Sequence, residues 1–294
     1  VTKKGEALIN RTQENFSADL THDRIKNRLL ESGDPFLVEV GISDKNGKIK
    51  NGKNDKYLQV EEFLRILVPT LTSAIEAGHI RAPTTGSPLK IIDLGCGHAY
   101  LTFAAHQYLS SQGIPVSVVG IDIRESARER NNQIAKKLGI ANTINFLAQE
   151  ISQTSIKFAD VAIALHACDT ATDDAIAWAL NCGAKLVLVA PCCHHDIQAQ
   201  MVDIPEPWQI LSRNGIMKER LGDLITDALR MQIMKLHGYR AEAIEFIGGE
   251  HTPRNLMIRA VKTGAIATEE DKSRYEAMIA LWNVKPALAV LLNR

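Results

Sequence analysis

Two short stretches concentrate the side chains that could do chemistry. One holds His166, Cys168 and Asp169, and the other runs Cys192, Cys193, His194, His195 directly after Pro191. Three chemistries suit these types. Thiolates and imidazoles together ligate zinc, but adjacent Cys-Cys and His-His pairs rarely share one tetrahedral ion, and the chain has no Cys-x-x-Cys spacing; no metal is assigned. Cys192 could instead act as a nucleophile that adds to an acceptor before group transfer. In the broadest reading, taken first here, His166, Asp169 and His194 or His195 orient an acceptor oxygen or nitrogen and remove its proton, with the thiols lining the pocket. The plainer role for any one of these residues is packing or capping, with Asp169 a natural helix N-cap.

Both stretches follow apolar runs of strand length, at 160–165 and 185–190, so the elements that position them are strands. A third run, 91–94, ends in Gly95-Cys96-Gly97 and opens a helix over 99–111. Glycines there let the backbone turn tightly and approach a ligand closely. Further strands are expected over 116–121 and 143–148, with helices over 125–138 and from about 172 to 183. Alternation of this kind predicts a doubly wound parallel sheet, whose ligands lie outside the carboxyl ends of its strands. Two more strands, 240–247 and 255–261, are joined by a connection too short for a crossover, so the seventh strand must run antiparallel to the sixth. A parallel sheet finished by an antiparallel strand is the architecture of the class I methyltransferases, an α/β, Rossmann-like fold.

The glycine turn also narrows the ligand. A dinucleotide fingerprint needs a third glycine where this chain has Tyr100. Asp93, just before the turn, repels phosphate and suits an ammonium group, while Asp122, at the end of the second strand, can accept both hydroxyls of a ribose. These features point to S-adenosylmethionine, with Asp93, Gly95, Cys96, Gly97, Asp122, Ile123, Gln149, Glu150 and His166 as its expected contacts.

The remaining chain divides by composition. Residues 1–86 read as a mostly helical, basic extension, residues 87–264 as the cofactor-binding domain, and residues 265–294 as a helical tail with a capping box at Thr268. A Pro- and Gly-bearing segment, 82–88, marks the first boundary. Within the extension, helical spacing occurs near 18–30 and over 57–75. Between them Lys45, Lys48, Lys50, Lys53 and Lys56 crowd a polar connector, and Arg24, Lys26 and Arg28 form a second cluster. Such clusters are either solvated faces or phosphate-contacting arms. Lys56, with Arg254 and Asn255 at the tip of the last hairpin, is the expected substrate contact.

Across 294 residues, 45% hydrophobic and 23% charged, the composition excludes a largely disordered chain. Its apolar runs are strand-sized, and its first residues lack the apolar core of a signal peptide, so no membrane association and a cytoplasmic location are expected. Formal net charge is zero, so a nucleic-acid partner must be held by a local patch. Five irregularly spaced cysteines argue against a disulfide framework.

The stretches Asp-Leu-Gly-Cys-Gly-His at 93–98, Ala-Leu-His-Ala-Cys-Asp at 164–169, Pro-Cys-Cys-His-His at 191–195 and Glu-His-Thr-Pro-Arg-Asn at 250–255 resemble the bacterial class I methyltransferase-domain proteins. That group is similar to the methyltransferase half of the eukaryotic glutathione S-transferase C-terminal domain-containing protein. More distant relatives with comparable strand ends include tRNA and presumed rRNA methyltransferases; this chain has Asp169 where they carry glycine. The resemblance implies a methyltransferase whose acceptor is RNA, with a small molecule or a protein as the alternative acceptor and a non-catalytic scaffold that binds cofactor or RNA as the third reading.

Overall fold

The computed structural model describes residues 28–165, 167–246 and 255–293. His166 and Arg254, residues 18–27 of the expected helix near 18–30, and the cluster members Arg24 and Lys26 lie outside the described residues; 28–30 are not helical.

In chain order the elements are α1 (Pro35–Glu39), α2 (Asn54–Glu76), β1 (Leu89–Leu94), α3 (Tyr100–Ser111), β2 (Val116–Asp122), α4 (Glu125–Lys137), β3 (Ile144–Ala148), β4 (Val161–Ala164), α5 (Thr170–Cys182), β5 (Leu186–Val189), α6 (His195–Gln200), α7 (Gln209–Ser212), α8 (Gly215–Leu236), β6 (Tyr239–Glu245), β7 (Leu256–Lys262), α9 (Glu269–Trp282) and α10 (Ala287–Leu292). The seven strands form one sheet in the order β3-β2-β1-β4-β5-β7-β6. Strands β1 to β5 pair in parallel, and β7 runs antiparallel to both β5 and β6, as the short hairpin connection requires.

The central strands carry branched and long apolar side chains on both faces because helices cover both faces. Every residue of β4 and β5 is buried, and β1 buries Leu89, Ile91, Ile92 and Leu94. Strand order reverses between β1 and β4, which places a crevice at their carboxyl ends. In β2 the absence of a side chain at Gly120 is a packing requirement: a Cβ there would lie 2.4 Å from the Phe146 ring and 3.0 Å from the Cys96 sulfur.

The division expected near 82–88 separates no two cores. Phe63, Leu64, Leu67 and Leu71 of α2 share one buried cluster with Ile91, Phe103, Val118 and Leu188. Helix α2 is therefore a layer of the sheet, and 77–88 is the surface crossing from that layer to β1. The tail packs in the same way. Its capping box forms between Thr268 and Asp271, and Tyr275, Met278, Ile279 and Trp282 close a small cluster against α8. Among the described residues no helix is long and apolar enough to cross a membrane.

Candidate active site

Two cavities open at the carboxyl edge of the sheet. The first, about 350 Å³, follows the β1–α3 turn and is lined by Gly95, Gly97, Asp122, Ile123, Gln149, Glu150 and Cys168, among others. Gly95 and Gly97 both adopt positive φ, 77° and 55°. That conformation favours glycine, and it exposes backbone where a larger residue would fill the crevice.

Asp122 is the polar centre of this cavity. Its Oδ2 accepts the Gly97 amide at 2.9 Å, and Arg124 donates its backbone amide and guanidinium to the same carboxylate. Partial burial opposes its charge, but the hydrogen bonds from Arg124 and Gly97 outweigh that cost and hold the carboxyl below its ordinary range. Beside it Ile123 is 67% exposed, a large apolar side chain left open at the rim. The Gln149 side-chain oxygen is buried with no partner among the described residues.

Asp93 and Cys96 lie beneath the turn. Asp93 is 4% exposed and accepts the Thr102 hydroxyl. Burial raises its pKa to about 7, against the lowering effect of the Thr102 hydrogen bond and with a further push from the Asp122 charge. Cys96 packs against Gly120, and burial pushes its thiol upward. Glu150 is exposed and accepts from Gln153 at 2.9 Å.

The second cavity, about 620 Å³, lies between the β5–α6 turn and α8. Pro191, Cys192, His194, Glu219, Arg220, Asp223, Leu224, Asp227 and Asn255 are among its walls. The two adjacent histidines part company here. His195 is exposed, whereas His194 is 3% exposed and turned toward α8. Its Nε2 stands 3.0 Å from both Asp227 oxygens, and its Nδ1 is 3.2 Å from Asp223 Oδ1. Arg230, also buried, bonds Asp227 at 3.2 Å and grips Asp173 of α5 through Nε and Nη2 at 3.0 and 2.7 Å. Sequence reasoning missed Asp173, Asp223, Asp227 and Arg230. The last three recur at helical spacing on α8, a one-face signal that had no visible partner until the fold supplied His194.

Asp169 joins the two stretches. It has φ 52° and ψ −125°, a conformation that L residues rarely adopt and that favours glycine. Its side chain makes no cap on α5 and instead crosses to the start of α6, accepting the His195 and Asp196 amides at 2.9 and 3.2 Å. The cavities meet at sulfur: Cys168 of the first and Cys192 of the second are 3.0 Å apart.

The lysine-rich connector divides in two. Lys48 and Lys50 lie near Asp44, while Lys53 and Lys56 face the glycine turn, where their charges, with those of Arg124 and Arg130, act on His98. Burial lowers the pKa of Lys56, and Lys53 and Arg130 lower it further. The Lys56 ammonium sits over the Tyr100 ring, 5.3 Å from its centroid. A cationic collar thus borders the first cavity.

Comparison with known proteins bears on this geometry. Residues 55–200 match the model of a family described as a methyltransferase domain. The glutathione S-transferase C-terminal domain-containing protein of Bos taurus is 30% identical over 250 residues, which is 76% of this chain and 36% of that protein's length. Among solved structures, the magnesium protoporphyrin IX methyltransferase of Synechocystis PCC 6803 superposes with a TM-score of 0.45 at 16% identity, covering 78% of this chain and 93% of that one. The ribosomal protein L11 methylase of Lactobacillus delbrueckii subsp. bulgaricus gives 0.43 at 13%, covering 72% and 80%.

The first cavity has groups that suit the nucleoside of S-adenosylmethionine. Asp122 offers two acceptor oxygens to a ribose, Ile123 an apolar face to an adenine, and Gln149 an unused buried oxygen to an amino group. Residues 55–200 are thus similar to a methyltransferase domain, and the strands that follow complete the seven-stranded sheet.

Proposed function

We propose that the chain is an S-adenosylmethionine-dependent methyltransferase acting on RNA in the cytoplasm. Bound in the first cavity, the cofactor supplies a methyl group on a positively charged sulfur. The observation that carries the RNA reading is the collar of Lys53, Lys56, Arg124 and Arg130 around His98 beside that cavity. The Lys56 ammonium, whose charge is disfavoured by burial and then by Lys53 and Arg130, is stabilised by phosphate. The free thiols of all five cysteines suit a reducing compartment.

The acceptor lies in the second cavity, across the Cys168–Cys192 contact from the cofactor. His194 is the residue that takes up its proton. Asp227, 3.0 Å away, orients the ring through Nε2, which leaves Nδ1 as the nitrogen able to accept that proton. Lys56 and Asn255 contact the substrate. Arg254 belongs to the same reading by its place on the hairpin connection. Asp169 borders the passage between the strand ends and Cys192 lines it; His166 belongs to the same reading by its place in the sequence.

A small-molecule acceptor is favoured by one feature of the second cavity, where the exposed apolar side chains of Ile216 and Leu224 stand beside Glu219 and Asp223. Incubation with methyl-labelled cofactor and separated RNA, protein and metabolite fractions distinguishes the readings. Label enters RNA on the present account; label confined to the metabolites or to protein overturns the RNA assignment.

A further inference from the structure

The parallel register that pairs Ala164 with Val189 sends the chains leaving β4 and β5 side by side. Three thiols gather where they emerge. The Cys168 and Cys192 sulfurs are 3.0 Å apart, those of Cys192 and Cys193 are 3.7 Å apart, and all three lie within 4.8 Å of one another. Cys168 is exposed and the other two are half-buried, so the cluster opens to solvent at the wall the two cavities share.

Neutral thiols gain little from such crowding, because S–H is a weak donor and sulfur a weak acceptor. Thiolates held this closely need a cation between them.

We propose that Cys168, Cys192 and Cys193 form a Zn²⁺ site of three thiolates with a fourth, open position. Zinc–sulfur bonds of about 2.3 Å in a tetrahedral site set sulfur atoms about 3.8 Å apart, so closing on the ion moves each sulfur by roughly 1 Å or less from its present place. The adjacent cysteines alone would be a poor pair for one ion. The third ligand comes from the neighbouring strand end, and the site then ties β4 to β5 at the passage between cofactor and acceptor. Soft thiolate donors also select zinc over magnesium or calcium.

The test uses the full-length chain, purified under reducing conditions without chelator. One zinc per chain is expected by elemental analysis, and replacement by Co²⁺ should give a sulfur-to-cobalt charge-transfer band whose intensity reports three thiolates. Cys168→Ser, Cys192→Ser and Cys193→Ser should each weaken zinc in competition with a chromophoric chelator by more than roughly a hundredfold, beyond the 10–100-fold that outer partners of a metal typically cost. Cys182→Ser, remote from the cluster, should leave affinity unchanged. The cobalt band on the unaltered chain answers the question even if a serine variant fails to fold. Absence of that band, zinc below a tenth of stoichiometry, or equal losses in the Cys182 and Cys192 variants overturns the site. Neither readout depends on methyl transfer, so failure here leaves the enzymatic reading standing.

Discussion

Arg124 grips both oxygens of Asp122, its Nε 2.9 Å from Oδ1 and its Nη2 3.1 Å from Oδ2. On the proposed assignment a ribose in the first cavity takes the same two oxygens, and the guanidinium moves aside on binding. The Arg124 side chain is 58% exposed, and an exposed pair of this kind contributes about 0–1 kcal/mol. Arg124→Ala should therefore tighten S-adenosylhomocysteine binding, by up to about fivefold. Calorimetric titration of the two proteins checks it, and a marked loss of affinity in the variant would mean that Arg124 holds the cofactor.

Asp93 predicts an unusual pH dependence. Its folded value of about 7 lies above the ordinary 3.8, chiefly because the carboxyl is buried. Between those values the native state keeps a proton that the unfolded chain has released. The resulting stability is complete below about pH 4 and is lost as pH rises through 7, an effect on the order of 4 kcal/mol at most. Asp93→Asn keeps an acceptor for Thr102 and removes the titration. Urea unfolding at pH 5 and pH 8 should show the wild type weaker at pH 8 and the variant changing much less; parallel declines would contradict the buried carboxyl.

Arg230 is 2% exposed and serves Asp173 and Asp227 together. Removing it strands two buried carboxylates, a change that costs about 3–5 kcal/mol. Arg230→Met should lower the unfolding midpoint accordingly and release the chain around Asp169, whose carbonyl the Nη2 group also holds at 3.0 Å. A midpoint within error of the wild type would show that the network is not closed in solution.

The collar gives RNA binding a salt signature. Each phosphate contact with single strands contributes a slope of about 0.7 in the logarithm of affinity against salt, so Lys53, Lys56 and Arg130 changed together to alanine should reduce the slope by about 2. Changing Lys45, Lys48 and Lys50 together should alter it less, since Lys48 and Lys50 already lie beside Asp44. Equal effects of the two sets would make the whole connector a diffuse electrostatic surface.

What could be read from the sequence was what is written locally. Apolar runs of strand length, the Gly95–Gly97 turn and the short β6–β7 connection define the sheet, because periodicity and turn chemistry act over a few residues. Helix α2 was legible as a helix but not as a layer of the sheet. Its partners Ile91 and Leu188 are far along the chain, and the Pro- and Gly-bearing crossing after it imitates a linker. His194 and His195 were equivalent as letters. One faces Asp227 and the other solvent only because α6 begins there and α8 packs against it. The thiol cluster depends on the β4–β5 register, which no spacing within either stretch reveals. Asp169 is the reverse case, since an aspartate in a glycine-like conformation makes sense once its carboxylate is seen to cap a different helix.

The cofactor site is the centre of the account, and titration of S-adenosylhomocysteine into wild type and Asp122→Ala tests it most directly. On the proposed assignment Asp122 accepts the ribose hydroxyls, and leaving them unpaired costs about 1–3 kcal/mol. One ligand per chain in the wild type, with affinity lowered by about 5- to 150-fold in the variant, is the predicted result. No binding to the wild type, or equal affinity in both proteins, would contradict the assignment.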